Sequence, residues 1–380
     1  MARHRVNMSD IIVGQPLPWN VHDSAGHLLL HRGYIVESAH QLQGLVDRGL
    51  YIDAAHLVQR ESAPVQHEAP SVLRLINLAN IKLERLLFGL FEKEAYEPDV
   101  PARTLEIAQV VRSATELNSD VAVACILLNQ EAGKYPVRHC IDTAIVSFLI
   151  ARSMSKSPEE ILPIIAAALT MNVGMVAHHE RLQSKQGEAS AEDWRIIKAH
   201  PQASVDLLQL AGVADEEWLS CVLCHHENAD GSGYPFGKVA TEIPQNAKLI
   251  SLADRYCARV SGRDYRKPVL PNIALREIFL ENGKISDQPL AVHFIKELGI
   301  YPPGTFVRLH NEEIAVVTHK GESATTPIVY SIIGHLGTPL TVPIKREPST
   351  EGYAIREAVS AKQVALRLNM QQLWGDVASL

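Results

Sequence analysis

Two adjacent histidines directly ahead of a glycine-rich loop constrain this chain more than any other feature. His225, His226 and Glu227 end a predicted helix, and the loop Asp-Gly-Ser-Gly-Tyr-Pro follows closely. Adjacent imidazoles at a helix end can converge on a metal ion. Gly231 and Gly233 let backbone approach a ligand without interference from a Cβ atom. The alternative is a pair of exposed histidines ahead of a turn. Motifs elsewhere in the chain are needed to choose between metal ligands and exposed histidines.

The composition is that of a globular protein without disulfide bonds. Of 380 residues, 46% are hydrophobic and 21% are charged, which allows about two or three compact units. The five cysteines form an odd set, and the sequence shows no secretory leader and no run of about eighteen uninterrupted apolar residues, so we expect a cytoplasmic protein that does not enter a membrane. The net charge of −7 argues against binding to nucleic acid.

Hydrophobic patterns predict helices between two small β-rich parts. Strand-like runs around an Asp-Ser-Ala-Gly turn occupy residues 11–36, a helix follows over 38–49, and a polar linker lies at 59–70. A long apolar helix is predicted over 71–93, followed by helices over 102–117 and 119–130. The long helix has to be covered on most sides, either by its own chain or by a second subunit.

Capping signals mark the helices of the middle region. Ser157, Pro158 and Glu160 predict a helix that runs to Met171, and a similar signal at Ser190 precedes the segment 194–200. Another helix is predicted over 244–261. Short β-prone runs follow at 305–309, 314–319, 327–333 and 340–344, and an amphipathic helix is predicted over 361–374.

We divide the chain into five parts on these patterns. Residues 1–60 form a small β-rich N-terminal unit with one helix, and residues 61–130 form a linker and a helical connector. Residues 131–300 form an all-α domain, residues 301–350 an antiparallel β appendage, and residues 351–380 a C-terminal tail with a helix.

The run HHENADGSGYP resembles the signature of the HD-GYP family, phosphohydrolases of the HD superfamily that hydrolyse the second messenger cyclic di-GMP. Other matches come in the family's order over residues 134–344: His139 in VRHCIDTA, His200-Pro201 in IKAHP, Asp254 in LADRYCARVSGRDYR, and the closing YPPGTFVRL. The resemblance implies a mainly α fold, an HD-superfamily helical bundle with a small N-terminal β-rich unit and a small C-terminal antiparallel β appendage. The metal ligands that it implies are a His-Asp dyad together with His139, His200, His225, His226 and Asp254, a set suited to iron or manganese.

This chain departs from the family at the metal and phosphate machinery. Met171-Asn172 stands in place of the dyad, Met175 replaces the family's lysine, and Tyr135 stands where some members have a carboxylate. Two-metal hydrolysis uses a bridging carboxylate to hold two cations on one phosphate, and neither Met171 nor Asn172 can supply it. We therefore expect one metal site to be lost and assign no residue a catalytic role.

The remaining histidines still predict one metal site. Only His139 and Asp254 are left for the lost site, whereas His200, His225 and His226 can hold one divalent metal, which is iron, manganese or zinc, with an open position for water. The family resemblance also implies ligand-binding residues, which are Gly233, Tyr234, Pro235, Arg263, Tyr265 and Arg266.

Four other features have two interpretations each. Arg255 and Arg259 either bind phosphate or form a solvated basic face. Cys221 and Cys224, followed by His225, fit the haem-attachment pattern, but we expect no haem and buried cysteines. The run 178–180, His-His-Glu, is interpreted as surface residues, with substitute metal ligation as the alternative.

Three functions remain open. The first is a catalytically impaired domain that acts as a receptor for cyclic di-GMP or a related nucleotide, or as a docking module for a signalling protein. The second is a slow single-metal phosphodiesterase that acts on cyclic di-GMP or another phosphoester. The third is a ligand-free scaffold. A homodimer is expected through the helical connector.

Overall fold

The computed structural model describes residues 3–5, 17, 20–23, 26–31, 34, 36, 51–53, 69–91, 99–129, 132–184, 189–262, 267–281, 284–285, 288–364, 366 and 368–380. The chain separates into two units, Met1–Glu68 and Ala69–Leu380. The five-part division made from the sequence stays a prediction.

The first unit contains a small antiparallel sheet. Its strands are β1 (Arg3–Arg5), β2 (Val21–His22), β3 (Leu28–Leu30) and β4 (Tyr51–Asp53), in the order β1-β4-β2-β3. The predicted turn between two strands is confirmed, because β2 pairs with β3 and the Asp23 amide donates to His27 O at 2.9 Å. The predicted helix over 38–49 and most of the linker lie outside the described residues.

The second unit is mainly helical, as predicted. In chain order its first helices are α1 (Val72–Gly89), α2 (Val100–Leu117), α3 (Ser119–Leu128), α4 (Tyr135–Ser153), α5 (Pro158–Thr170) and α6 (Val176–Ser184). They are followed by α7 (Ala191–Leu210), α8 (Glu216–Cys224), α9 (Gln245–Val260), α10 (Pro271–Phe279), a short hairpin of β5 (Leu280–Glu281) and β6 (Lys284–Ile285), and α11 (Gln288–Leu298).

Helix α4 is the centre of the bundle. Its residues are buried without interruption over seventeen positions, from Tyr135 to Ala151, which is the pattern of a helix covered on all sides. It packs against α1, α2, α3, α5, α6, α9 and α11. The run Pro158–His179 is long and apolar enough to cross a membrane, since an 18-residue window in it has a mean hydropathy of 1.7, but 78% of that window is buried inside the protein. It therefore serves as a core segment here.

The predicted helix starts are confirmed, and one helix extends further than expected. Ser157 and Ser190 each cap a helix in a reciprocal capping box, with Glu160 and Asp193 respectively. Helix α7 does not stop near His200. It continues through Pro201 to Leu210, because a proline inside a helix removes one hydrogen bond but does not always end the helix.

The C-terminal β appendage is a five-stranded antiparallel sheet. Its strands are β7 (Phe306–Leu309), β8 (Ile314–His319), β9 (Ile328–Ile333), β10 (Pro339–Arg346) and β11 (Ile355–Val359), in the order β10-β9-β8-β7-β11. The first four match the predicted strands, and β11 was not predicted. Arg346 donates two hydrogen bonds of 2.9 Å to the buried Glu313, which joins β10 to the start of β8.

The prediction of a single helix over 361–374 is wrong. The structure has two short helices, α12 (Ala361–Val364) and α13 (Met370–Trp374). Asn369 begins the second one, because its side chain accepts a hydrogen bond from the Gln371 amide at 2.9 Å. Asparagine is favoured at such a cap and disfavoured inside a helix.

The chain's own C-terminus covers one end of α1. The Ser71 hydroxyl at the start of α1 donates to Ser379 O at 2.5 Å, and the Trp374 indole donates to Thr318 O at 2.9 Å. The apolar positions Leu73, Ile76, Leu83 and Leu87 are buried within this chain, which confirms burial by its own chain for that face of α1. Leu78 and Ile81 remain 41% and 68% exposed on its other side, and dimerisation stays a prediction.

A buried carboxyl group in α4 should make stability depend on pH. Burial raises the pKa of Asp142 to about 8, against a smaller lowering effect of Arg138. The unfolded chain loses this proton near pH 4, so the stability that the group contributes is full below about pH 4 and is lost as the pH rises through 8. We expect the free energy of unfolding of Asp142→Asn to exceed that of the wild type by roughly 1–3 kcal/mol at pH 7.5 and by much less at pH 4.5.

Urea unfolding of both proteins in metal-free buffer, from pH 4.5 to 8, measures this difference. A difference between the two proteins that stays constant over that range would contradict a carboxyl group that is protonated in the folded state.

Candidate functional site

Three imidazoles from two helix segments converge in the second unit. His200 lies inside α7, and His225 and His226 follow the last turn of α8. The Nε2 atoms of His200 and His225 are 3.2 Å apart, and the ring centroids of His200 and His226 are 5.0 Å apart. One nitrogen from each residue lies within 4.8 Å of the others. In the part of the chain that the structure describes, this is the only group of three or more ligand side chains close enough to share one ion.

Backbone carbonyl groups fix the protonation of two of these rings. His200 Nδ1 lies 2.6 Å from Ile197 O, and His225 Nδ1 lies 2.6 Å from Val222 O. A carbonyl oxygen can only accept, so each Nδ1 carries the proton and each Nε2 is left with a lone pair. Two lone pairs that face each other at this distance repel unless a cation lies between them. The arrangement therefore fits a metal ion.

The three imidazoles are held neutral. Burial lowers the pKa of His200 well below its ordinary value, and the nearby charges of His226 and His225 lower it further. Burial also lowers the pKa of His225, and it lowers that of His226 to about 3. Neutral imidazole is the form that binds a metal. The site is thus ready to bind a metal at any pH near neutrality without first losing protons.

The other two predicted ligands form a separate pair. His139 Nε2 and Asp254 Oδ1 are 2.7 Å apart, and both residues are buried. Burial alone raises the pKa of Asp254, but the hydrogen bond and charge of His139 outweigh it and hold that pKa well below its usual range. Asp254 therefore stays ionised and supplies a fixed negative charge near the imidazoles.

The residues that replace the dyad do not complete a second metal site. Met171 is fully buried in the apolar core, and Asn172 is buried as well, at 4% exposed. The ring of Tyr135 stacks on His139 at a centroid distance of 5.5 Å and an interplanar angle of 8°. An aromatic ring, a thioether and a neutral amide are poor partners for a hard cation. These residues do not fit a second metal.

The glycine-rich loop packs directly against the three histidines. The Tyr234 ring lies 4.7 Å from the His226 ring, and the Tyr234 amide donates to His226 O at 3.1 Å. Tyr234-Pro235 is a cis peptide bond. Gly233 is required by space, since a Cβ atom there would lie 2.6 Å from His226 O and closer still to two other backbone atoms.

Glu227 holds this loop in place, a role that sequence reasoning missed. Its buried carboxylate accepts hydrogen bonds from the amides of Phe236 at 2.8 Å and Lys238 at 2.9 Å. Hydrogen bonds to an ionised acceptor are roughly twice as strong as neutral ones. The signal for this role is the position of Glu227 between the histidine pair and the glycine-rich loop.

Replacing Gly233 should disturb the site. Gly233→Ala forces its new Cβ against backbone atoms, and we expect a loss of roughly 1–3 kcal/mol of unfolding free energy. Zinc affinity should fall by roughly tenfold, because the loop supports His226. Gly262→Ala is the matched control, since its Cβ would have ordinary contacts at 3.6 Å. Equal unfolding midpoints and zinc affinities for the two variants would show that the loop tolerates the side chain.

Other sequence predictions have mixed outcomes. His178 and His179 are 9% and 5% exposed, so their interpretation as surface histidines is wrong. His178 packs against Asp193 at 3.4 Å, and the His179 ring lies 5.3 Å from Tyr135. Among the described residues they join no group of three close ligands, so substitute ligation gains no support.

Only some of the predicted basic residues lie in the part of the chain that the structure describes. Arg259 forms an ion pair with Glu277 on α10, which favours a structural role. Arg255 lies next to Asp254, and its charge contributes to lowering the pKa of His226. Arg263, Tyr265 and Arg266 lie outside the described residues. The five cysteines, including Cys221 and Cys224, are free and buried, as predicted for core cysteines.

Comparison with known proteins supports the family seen in the sequence. Residues 117–289 match the family model described as HD domain. The cyclic di-GMP phosphodiesterase PA4108 of Pseudomonas aeruginosa is 28% identical over 218 residues, 57% of this chain and 52% of that protein. The cyclic di-GMP phosphodiesterase response regulator RpfG of Xanthomonas campestris pv. campestris is 30% identical over 145 residues, 37% of this chain and 38% of that protein. The matches thus span about half the length of these relatives or less.

One solved structure is also similar. It is Bd1817, described as an HDG"Y"P protein from Bdellovibrio bacteriovorus, with a TM-score of 0.47 and 16% identity over 78% of this chain and 99% of that one. The family model matches the segment that carries the histidine cluster and the HHENADGSGYP loop. Residues 117–289 therefore match the HD domain family, and this segment has Met171-Asn172 at the positions where the HD-GYP resemblance implies the His-Asp dyad.

Proposed function

We propose that this protein binds cyclic di-GMP or a related cyclic dinucleotide at a single-metal site and hydrolyses it slowly or not at all. It acts in this proposal as a nucleotide receptor or regulatory module in cyclic di-GMP signalling. The observation that carries the proposal is a complete three-histidine cluster beside an incomplete second site. His200, His225 and His226 converge. His139 and Asp254 form a pair, but position 172 is an asparagine and supplies no carboxylate to complete a second metal site with them.

The one metal supplies a positive charge and a Lewis acid for a phosphate oxygen when it is bound. The protein's own residues hold the rest of the site. His200 and His225 direct their Nε2 atoms inward, Glu227 fixes the loop, and Tyr234 covers His226 on one side. Three neutral imidazoles without a carboxylate suit zinc or iron better than manganese. These features favour binding of a phosphodiester.

Hydrolysis lacks the groups that stabilise its transition state. The second cation has no bridging carboxylate, and the lysine position is Met175. The loss of several kcal/mol of charge stabilisation slows a reaction by roughly 10²–10⁴-fold. Starting from a typical turnover of about 10 per second, we expect less than roughly 0.1 per second.

A titration and a turnover assay on the same preparation test this proposal. The full chain, loaded with zinc or iron, is titrated with cyclic di-GMP by calorimetry, and nucleotide products are then followed by chromatography. We expect binding at about one nucleotide per chain, with a dissociation constant in the micromolar range or below, and turnover below the bound given above. Several turnovers per second would show an active enzyme and overturn the receptor proposal. No heat of binding with any cyclic dinucleotide would overturn the nucleotide site.

A slow single-metal phosphodiesterase is the second candidate. The observation in its favour is the open coordination position that three histidine ligands leave, as in mononuclear zinc hydrolases. In that case turnover is measurable with one metal per chain, and it disappears with the metal when a chelator is added. The measurement is the activity of samples loaded with different amounts of metal. For a single-metal enzyme, activity rises in proportion to the metal bound per chain.

Partners and location remain predictions. Five free, buried cysteines are what a reducing cytoplasm favours. A homodimer and a signalling protein partner are proposed with the receptor function. The ligand-free scaffold gains no specific support from the histidine cluster, because the two buried imidazoles of His200 and His225, whose Nε2 lone pairs face each other, are costly without a ligand.

A further inference from the structure

A proline frees the carbonyl group that orients one metal histidine. In a helix, Ile197 O normally accepts a hydrogen bond from the amide of the residue four positions on, which is Pro201. Proline has no amide proton, so this bond cannot form. The freed Ile197 O instead lies 2.6 Å from His200 Nδ1, on the same helix α7.

The second buried histidine uses a carbonyl group that is free for another reason. Helix α8 ends at Cys224, so Val222 O lies in the last turn, where carbonyl groups run out of helical partners. That oxygen lies 2.6 Å from His225 Nδ1. Both histidines thus donate from Nδ1 to the carbonyl three residues earlier. One carbonyl is vacated by a helix end, and the other by a proline in mid-helix.

We propose that Pro201 is a positioning residue for the metal site. By removing an amide from α7, it reserves Ile197 O for His200 Nδ1 and thereby keeps His200 Nε2 unprotonated and directed at the metal position. This inference rests on the three-histidine metal site of the proposed function. It adds that the affinity of that site depends on a residue that touches neither metal nor nucleotide.

The alternative role for Pro201 is only to bend the helix. A bend moves the His200 ring but does not select which of its nitrogens carries the proton. The selection follows from competition for one carbonyl oxygen, because an alanine amide at position 201 would bond Ile197 O and weaken its bond to Nδ1. Loss of such a supporting bond to a metal histidine typically lowers metal affinity by about 10–100-fold.

Zinc binding by Pro201→Ala tests the proposal. The full chain is stripped of metal and titrated with Zn²⁺ alone in competition with a chelating dye. Since an oxygen can accept two hydrogen bonds, we expect the lower end of that range, a dissociation constant raised by roughly tenfold. The thermal midpoint of the metal-free variant should be unchanged or higher, because alanine is a better helix residue than proline. The variant should therefore bind zinc more weakly without losing thermal stability.

A second proline provides the matched control. Pro163 lies inside α5, whereas the three histidines come from α7 and the end of α8, and Pro163→Ala should leave zinc affinity within about twofold of the wild type while making the same kind of helix repair. Long-range ¹H–¹⁵N spectra of the metal-free proteins report the imidazole tautomers directly. We expect the Nδ1–H form of His200 in the wild type and a mixed population in Pro201→Ala.

Every result of these experiments either supports or overturns the positioning role of Pro201. Unchanged zinc affinity in Pro201→Ala, an equal loss in Pro163→Ala, or reduced affinity with an unchanged His200 tautomer would overturn the positioning role. An Nε2–H form in the wild type would also overturn it, even if the variant failed to fold. A wild-type protein that binds no Zn²⁺ would instead remove the proposed metal site itself, and nucleotide binding plays no part in the readout.

Discussion

Restoring the family's dyad, by the double substitution Met171→His and Asn172→Asp, is expected to raise metal content from about one ion to about two per chain. It should also raise hydrolysis of cyclic di-GMP by roughly a hundredfold or more, because a bridging carboxylate lets two cations act on one phosphate. The site offers the partners that remain, since His139 and Asp254 already lie 2.7 Å apart. Metal analysis and a turnover assay measure the two effects.

The double variant should also become metal-dependent in its stability. A carboxylate at position 172 would add a second acidic group to the implied ligand set, in which Asp254 is already ionised, and two like charges are unfavourable until a cation neutralises them. The control is Met171→Leu with Asn172→Ser, which changes the same two positions without adding ligands. If a folded double variant still binds only about one metal ion per chain, then Tyr135 or the missing lysine, and not the dyad alone, prevents a second metal from binding.

Removing one imidazole of the cluster should have the second large effect. We expect His225→Ala to lose its bound metal, with zinc affinity lowered by roughly a thousandfold or more, because two imidazoles do not hold an ion as three do. The buried ring of His225 also contacts His200 and His226. Elemental analysis after gel filtration and zinc titration measure the loss, and the thermal midpoint shows whether the fold survives.

His139→Ala is the matched control for that variant. His139 is 2% exposed and belongs to the implied family ligand set, but it pairs with Asp254 outside the three-histidine cluster. It should therefore keep about one metal per chain with a zinc affinity near that of the wild type. Loss of the metal in both variants would show that His139 and Asp254 share the ion with the cluster, contrary to a single three-histidine site.

Much of the fold follows from local patterns in the sequence. The caps at Ser157 and Ser190 and most strands of the C-terminal sheet lie where the sequence predicts them, because capping and alternation act over a few residues. Strand β11 and the break before Asn369 were missed. Both depend on what the segment packs against, and β11 exists only because it pairs with β7.

The candidate site was predictable in its members but not in its grouping. The motif identified five ligands, and the structure brings three of them together and leaves His139 paired with Asp254. The burial of His178 and His179 could not be predicted, since it results from α6 packing against α4 and against the segment around Asp193. Glu227 was visible in the motif, but its partners come from a loop that turns back on it.

The sequence by itself determined that this chain has the HHENADGSGYP loop and lacks the dyad, because both are matters of residue type at fixed spacing. Only the tertiary structure decided which imidazoles share a site and which of their nitrogens face it. The grouping depends on where α7 and α8 meet, which is set by packing between residues far apart in the chain. The orientation depends on how each ring turns toward its carbonyl group, Ile197 O or Val222 O, once the helices are in place.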